Sequence, residues 1–172
     1  MRPDYDPGRL IDADLELILE ERLPGDASKG HLPAYRFAMH QIGKETKIGE
    51  IGVKIGSPPN HLGHLWFRVF PDYRGKHYAA RACRLLIPLA RRHGIEPLRI
   101  TCREDNLASR RTCELAGAQF IGVVETPPGY SDWLGPVRTK WLYHLSTSRS
   151  DGQPACQPDW VLPAAFSVRQ SA

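Results

Sequence analysis

Apolar and polar residues alternate along four stretches of the first seventy positions. Leu15, Leu17 and Leu19 alternate with Glu16, Ile18 and Glu20; Tyr35, Phe37 and Met39 alternate with Arg36, Ala38 and His40. Ile51, Val53 and Ile55 share one face of 48–55, and 62–70 is rich in aromatic and branched residues. A period of two places one face of a strand against a core. The turn-forming stretches Leu23–Pro33, Gly43-Lys44 and Gly56–Asn60 separate these runs, so an antiparallel meander is expected, with the second and third strands forming a hairpin. Residues 1–11, polar and turn-rich, are expected as an N-terminal extension.

The period changes at Pro71. Ala79, Ala82, Cys83, Leu86, Leu89 and Ala90 recur at spacings of three and four, which predicts a helix with one buried face. Arg91, Arg92 and His93 suit its last turn, Gly94 suits the position beyond it, and Pro88 predicts a kink. A strand is expected over 97–102. Asp105 or Asn106 can cap a helix over 107–116 that Gly117 closes. Strands over 120–124 and 140–145 come next, with 127–136 a loop. Strand, helix and strand within 62–102 form a βαβ unit, expected to be parallel and right-handed. The fold class is α/β (α+β): a mixed, mostly antiparallel sheet of about seven strands, with a central parallel pair and two main helices. The domain spans 12–146. From 147 to 172 the chain is rich in Ser, Pro and Gln and reads as a flexible tail. Within it Trp160, Val161, Leu162 and Phe166 make an apolar patch that either docks on the domain, docks on a second subunit as a homodimer contact, or stays loose.

Composition narrows the class. The 172 residues carry a net charge of +4, 41% apolar and 24% charged residues, which suits one domain with its own core. Mild basicity suits an anionic ligand, but without blocks of like charge a nucleic-acid protein is not indicated. No apolar run approaches the roughly 20 residues of a membrane span, and the first ten residues lack the apolar region of a secretory signal. Cys83, Cys102, Cys113 and Cys156 form no C-x-x-C pair and are expected as reduced thiols in a cytoplasm.

The segment from Val69 to Ala80 ends a strand, makes a basic turn and starts a helix. The first N–H groups of a helix lack internal partners and, with the helix dipole, favour an anion. Arg74 and Lys76 add charge, and Gly75 lets backbone approach a ligand. The chemistry this suits is capture of a phosphate or pyrophosphate; the plainer alternative is a helix start with two solvated cations. Other phosphate motifs are missing: Gly43-Lys44 precedes Glu45 without an upstream glycine, and no G-x-G-x-x-G follows a strand.

Arg74-Gly75-Lys76-His77-Tyr78-Ala79 resembles the R-x-x-G-x-G/A acetyl-CoA motif of GNAT-superfamily N-acetyltransferases. Asn106 and Ser109, followed by Glu114, Gly117 and Ala118, are similar to that superfamily's N-x-x-S and E-x-x-G-F/A signature. Two motifs in order, with a strand between them, cover roughly 12–146. The resemblance implies an acetyl-CoA-dependent transfer of an acetyl group to an amine, small-molecule or peptide, by direct attack in a ternary complex. It implies that the pantetheine arm lies between the fourth and fifth strands, that the backbone of Phe67, Arg68 and Val69 meets the acetyl and pantetheine groups, that 74–79 holds the pyrophosphate, and that Asn106 and Ser109 meet the arm from the second helix. Asn106 as a plain cap and Ser109 as a plain first-turn residue are compatible with those roles.

Three departures from the family pattern stand out. The motif's middle glycine is His77, tolerable if that residue is already helical with negative φ. The family's frequent acid, a Tyr seven residues after the Asn, is replaced by Cys113, read as a small packing residue. The span Leu23–Pro33 is too short for the two helices that often wall the acceptor site. Glu50 and His64 are the candidate bases, on strands that can pair and so bring them together; Glu104 is a third. His61 and His64 alone do not make a metal site, and no metal is expected. Tyr130, Trp133 and Tyr143 are candidates to line an acceptor pocket, with Trp141 in the core. Two other readings remain: a non-catalytic acyl-CoA-binding module, and a nucleic-acid module using Arg81, Arg84, Arg91, Arg92 and Arg99, which more simply form a solvated helix face.

Overall fold

The computed structural model describes residues 5–132 and 134–148. The expectations for Trp133, for Cys156 and for the apolar patch of Trp160, Val161, Leu162 and Phe166 lie outside the described residues. Among the described residues there are ten strands: β1 (Leu10–Asp12), β2 (Leu15–Leu23), β3 (Ala34–Gln41), β4 (Lys47–Lys54), β5 (Leu65–Val69), β6 (Leu98–Cys102), β7 (Gln119–Glu125), β8 (Ser131–Asp132), β9 (Gly135–Pro136) and β10 (Thr139–Leu145). The helices α1 (Tyr78–Leu85), α2 (Ile87–Arg92) and α3 (Leu107–Ala116) pack with them. Eight strands form one sheet in the order β1-β2-β3-β4-β5-β6-β10-β7, while β8 and β9 make a small separate ladder. Every pairing in the large sheet is antiparallel except β5 with β6. The sheet has one strand more than the seven expected, because Leu10–Asp12 pairs with β2 and Leu10 is buried.

One face of the sheet carries the core. Tyr35, Phe37, Met39, Ile51, Val53, Leu65, Leu98, Ile100 and Tyr143 meet Ala82, Cys83, Leu86, Leu89 and Ala90 from the first helical segment and Cys113 and Ala116 from α3. These are the positions that the two periods select. The kink predicted at Pro88 is a full break: α1 stops at Leu85, Leu86 is the joint, and Pro88 lies in the first turn of α2. Proline has no N–H to continue the helix and its ring excludes the carbonyl four residues back. The boundaries of α3 match its cap signals. Asn106 Oδ1 accepts from Ser109 N at 3.0 Å, and Gly117 closes the helix at φ +87°.

Arg84, Arg91 and Arg92 are exposed, as a solvated helix face requires, whereas Arg81 and Arg99 are half-buried, and all five have partners within the fold. Arg81 bridges Asp12 at 2.9 Å and Asp14 at 2.7 Å, fixing α1 to the β1–β2 turn. Arg84 donates to Leu115 O at 2.8 Å, joining α1 to α3. Arg91 donates to Thr147 O at 2.6 Å, Arg92 lies 4.0 Å over the Tyr5 ring, and Arg99 donates to Asn60 Oδ1 at 2.6 Å and Pro58 O at 2.8 Å. These side chains tie elements together.

The parallel pair is held from below by the 56–64 turn. His64 N donates to Arg99 O at 2.7 Å, and Gly63, at φ +61°, lies so close to β6 that a Cβ would sit 3.0 Å from Arg99 O and 3.2 Å from Thr101 N. Gly63→Ala should therefore cost about 2–4 kcal/mol, combining left-handed strain with the clash. Gly94→Ala, also left-handed at φ +69° but with open space around it, should cost only about 1–2 kcal/mol. Urea unfolding of the two variants measures the difference; equal losses would mean that the 56–64 turn does not press on β6.

Candidate active site

The central feature is a gap between two neighbouring strands. β5 pairs with β4 along its whole length, from Leu65↔Val53 to Val69↔Gly49, but with β6 only at Leu65↔Ile100. Phe70 N donates to Ile48 O at 2.9 Å. Successive strand residues point their backbone groups to opposite sides, so Trp66 and Arg68 spend theirs on β4, while Phe67 and Val69 direct their N–H and C=O toward β6. Beyond Leu65 no β6 residue pairs with them. A splayed parallel pair thus presents unpaired backbone donors at the carboxyl end of its strands, where an open sheet receives a ligand.

The loop after β5 prepares a second donor set. Pro71–Tyr73 forms a single 3₁₀ turn, Gly75 has φ +81° with open space where a Cβ would stand, and α1 begins at Tyr78. Arg81 N donates to His77 O at 3.2 Å, so the N–H groups of Tyr78, Ala79 and Ala80 precede the first intrahelical bond and no side chain caps them. Arg74, Lys76 and His77 are exposed beside them. Arg74 Nε donates to Val69 O at 3.1 Å, linking this loop to the strand end. The Tyr78 side chain is buried, its hydroxyl donating to Asp14 Oδ2 at 3.1 Å and accepting from Gln41 Nε2 at 2.9 Å, so the side chain of Tyr78 is engaged within the fold.

His77 departs from the sequence expectation. It is left-handed, at φ +59° and ψ 20°, not helical. The chain turns into α1 at this residue, so the glycine-like backbone of the motif survives with a histidine in it. Histidine is among the residues that tolerate this region best.

The helix-free face of the sheet carries the other candidates. Glu50 is half-exposed, opposite Arg68 in the β4–β5 register, with Lys47 at 3.6 Å. His64 lies opposite Lys54, whose N–H donates to His64 O at 2.9 Å. Four residues of strand separate the two levels, roughly 13 Å, so the hairpin does not bring Glu50 and His64 together. His64 is 3% exposed. Its Nδ1 accepts from Arg99 N at 2.9 Å and its Nε2 meets Gly56 O at 3.0 Å, which fixes a neutral ring with the proton on Nε2. Burial pushes its pKa down to about 4, against the opposing pull of the Gly56 carbonyl. With both nitrogens engaged by backbone, His64 serves as a brace between the 56–64 turn and β6. Glu104 is exposed beyond β6.

Cys113 is fully buried, and its thiol is pushed up by the bond to Cys102 and by burial, so it packs and holds its proton. Tyr143 is 2% exposed in an aromatic cluster with Phe120 and Trp141 on the helix side and does not line an acceptor pocket. Tyr130 is on the other side, stacked edge-on to His61 at 5.1 Å and hydrogen-bonded to Lys140 at 3.0 Å. Sequence reasoning passes over Lys54 and Lys140. The available signal is parity: Lys140 shares its strand face with Leu142, an inward position for a charge.

Neutral His64 has a pH consequence. Its folded pKa, about 4, lies below the unfolded value of about 6.5, so its contribution is present above pH ~6.5 and lost as pH falls through ~4. The ceiling is roughly 3 kcal/mol at 1.36 kcal/mol per pH unit. His64→Gln should be destabilised at neutral pH, and the gap to the parent should narrow toward pH 4 in urea titrations; a gap independent of pH would mean that folding leaves the His64 pKa unchanged. For His77, the Val variant should be about 1–2 kcal/mol less stable than the Gly variant by the same measurement; equal stability would place residue 77 outside the left-handed region.

The comparisons with known proteins agree with this geometry. The family model described as an acetyltransferase (GNAT) domain matches residues 2–119. No curated protein matches the chain. Among solved structures, the chain is similar to the Microcin C7 self-immunity acetyltransferase MccE in complex with acetyl-CoA and AMP. That likeness has a TM-score of 0.53 and 20% identity, covering 66% of this chain and 61% of that one, so the chain spans less than two thirds of that structure's length. It is also similar to a putative ribosomal-protein-serine acetyltransferase from Vibrio cholerae, with a TM-score of 0.59 and 16% identity over 85% of this chain and 99% of that one. A ribosomal-protein-S5-alanine acetyltransferase from Vibrio fischeri gives 0.61 and 14% over 86% and 100%. At these identities the structures establish a shared fold, and the family match covers more than half of the sequence. The splayed strand pair, the uncapped helix start and the matched family together establish that this chain belongs to the GNAT acetyltransferase family, whose chemistry is acetyl-CoA-dependent N-acetyl transfer.

Proposed function

We propose that this chain transfers the acetyl group of acetyl-CoA to an amine by direct attack, with both substrates bound at once. The observation that carries the reading is the β5–β6 splay: the Phe67 and Val69 backbone groups, unpaired with β6, lie at the mouth of the gap that leads to the uncapped start of α1. The pyrophosphate is held by the N–H groups of Tyr78, Ala79 and Ala80, with Arg74 and Lys76 supplying charge and Gly75 allowing close approach. The pantetheine arm runs between β5 and β6, its amides meeting the backbone of Phe67 and Val69. Asn106 Oδ1 is spent on Ser109 N, which leaves the Asn106 amide NH₂ and the Ser109 hydroxyl for the arm. Arg68 contributes its register, its backbone being used by β4.

The chemistry is set by this placement. The Val69 N–H polarises the thioester carbonyl and holds the charge that develops on its oxygen. The amine nitrogen attacks the carbonyl carbon, the C–S bond breaks, and the CoA thiolate leaves and takes a proton from solvent. The amine proton passes to Glu50, which faces the helix-free side of the sheet, directly or through water. His64 positions the turn beneath β5 and β6. Cys113 takes no part in proton transfer.

Three measurements test the assignment. Calorimetry should show that acetyl-CoA binds at least tenfold more tightly than its acetyl-pantetheine arm, and that Gly75→Val lowers acetyl-CoA affinity by tenfold or more. Equal affinity for the two would remove the pyrophosphate site. Released CoA, monitored over an amine panel, should show turnover. Glu50→Gln should lower kcat by about 10²–10⁴-fold with the low-pH limb of the profile abolished, whereas Cys113→Ala should keep kcat within about tenfold. A hundredfold loss in folded Cys113→Ala would make that thiol the acid. Tight acetyl-CoA binding without turnover of any amine would favour the acyl-CoA-binding module.

A further inference from the structure

The helix-free face holds two ammonium groups, Lys140 at the splayed end and Lys54 at the His64 level, that form no ion pair with a carboxylate among the described residues. Lys140 is 8% exposed, yet its hydrogen-bond partner is the neutral Tyr130 hydroxyl at 3.0 Å, with the Tyr130 ring centroid 4.8 Å away. Lys54 Nζ lies 5.9 Å from the centroid of Trp66. Among the described residues no Asp or Glu oxygen forms an ion pair with either ammonium. Two acids of that face are engaged elsewhere: Asp132 with Arg103 at 3.2 Å and Glu50 with Lys47 at 3.6 Å. The two lysines also feel one another. Lys54 is held below its ordinary value by burial and then by the charge of Lys140, and His61, edge-on to Tyr130 at 5.1 Å, is lowered by burial and by both lysines.

A buried ammonium is costly unless an anion or several hydrogen bonds compensate it. Lys54, half-buried on the same face, adds to the cost, because like charges repel at reduced dielectric. Nothing in the packing of the sheet demands lysine at these positions: Leu142 shares the face and strand of Lys140 and is buried as a plain apolar residue. The location is specific. Trp141 is opposite Cys102 at the carboxyl end of β6, so Lys140 lies one position further on, at the end where β5 has left β6. The loop that carries Tyr130 is tied to the same place, through Arg103 bonded to Asp132 and to the Gly135 carbonyl at 3.4 Å.

Resting on the acetyl-transfer reading, we propose that the acceptor amine carries a carboxylate. This group is received by Lys140 and Lys54, with the Tyr130 hydroxyl and the His61 ring beside them. The anion completes the charge balance of the face and directs the amine, at the other end of the acceptor, toward the thioester in the gap. The carboxylate belongs either to a small amino-carboxylic acid or to an acidic side chain near the amino terminus of a peptide. The two sources share one chemistry and differ in the size of the molecule that bears it.

Two readouts test this, one of which needs no turnover. In thermal unfolding at fixed ionic strength, succinate should raise the midpoint of the full-length protein by about 2 °C or more over chloride, in the manner of any ligand that binds only the folded state. The rise should vanish in Lys140→Met and be reduced in Lys54→Met. An equal response to both salts in the parent, or a rise that survives in both variants, would overturn the proposal. In the second readout CoA release is monitored for matched acceptors: amino carboxylates against their carboxamides, and peptides with Asp or Glu at the second residue against Asn or Gln. The carboxylate member of at least one pair should be preferred tenfold or more in kcat/KM, and Lys140→Met should abolish that preference while acetyl-CoA affinity stays unchanged. Preference among small acids, peptides or both identifies the source. Equal turnover of charged and neutral partners would contradict the carboxylate site and leave acetyl transfer standing, whereas failure to bind acetyl-CoA would remove acetyl transfer itself.

Discussion

A strand in the middle of a sheet has two edges to satisfy, and β5 satisfies the second only at Leu65. The proposed acetyl-CoA site depends on that shortfall. The antiparallel half, β1 to β5, and the half made of β6, β10 and β7 are each paired internally, and they are joined at one parallel contact. The backbone polarity of Phe67 and Val69 then has to be met by something other than the sheet, since buried N–H and C=O groups rarely go without partners. The antiparallel register with β4 decides which residues are affected, by sending the intervening Trp66 and Arg68 the other way.

The joint is made stiff around the gap. Below it, His64 receives the Arg99 N–H and meets the Gly56 carbonyl with its two ring nitrogens, and Gly63 permits the turn to press against β6. Above it, α1 is anchored by Arg81 to Asp12 and Asp14 and by Arg84 to α3. These ties hold the helix start and the strand end in one relation, while the loop from Arg74 to His77 stays exposed. Rigid support under an open donor set is what electrostatic stabilisation of a transition state requires, because donors that need not reorganise lose nothing when charge develops.

The legible part of the sequence is the part written in periods and caps. Alternation marks β2 to β5, Asn106 and Gly117 bound α3, and Pro88 marks the helix break. Residue pairs separated by long stretches are less legible. Alternation places Glu50 and His64 on neighbouring strands without stating register, and register is what sets them about four residues apart. His64 reads as a base until the Arg99 amide, 35 residues away, is known to occupy its lone pair. His77 reads as helical because the residues after it are, and the left-handed turn that precedes a helix leaves no mark when the residue is not glycine. The role of Lys140 is hidden for the opposite reason: its parity is visible, but the missing counter-charge is a property of several loops and strands at once.

In the proposed function the Phe67 and Val69 amides and the first amides of α1 are the groups that receive acetyl-CoA. Residue-resolved amide hydrogen exchange, with and without saturating acetyl-CoA, tests this most directly. The Phe67, Val69, Tyr78, Ala79 and Ala80 amides should exchange quickly in the free protein and slow by tenfold or more on binding, while Trp66 and Arg68, bonded to β4, should be slow in both states. Slow exchange at Phe67 and Val69 without ligand, or protection confined to other parts of the sheet, would contradict it.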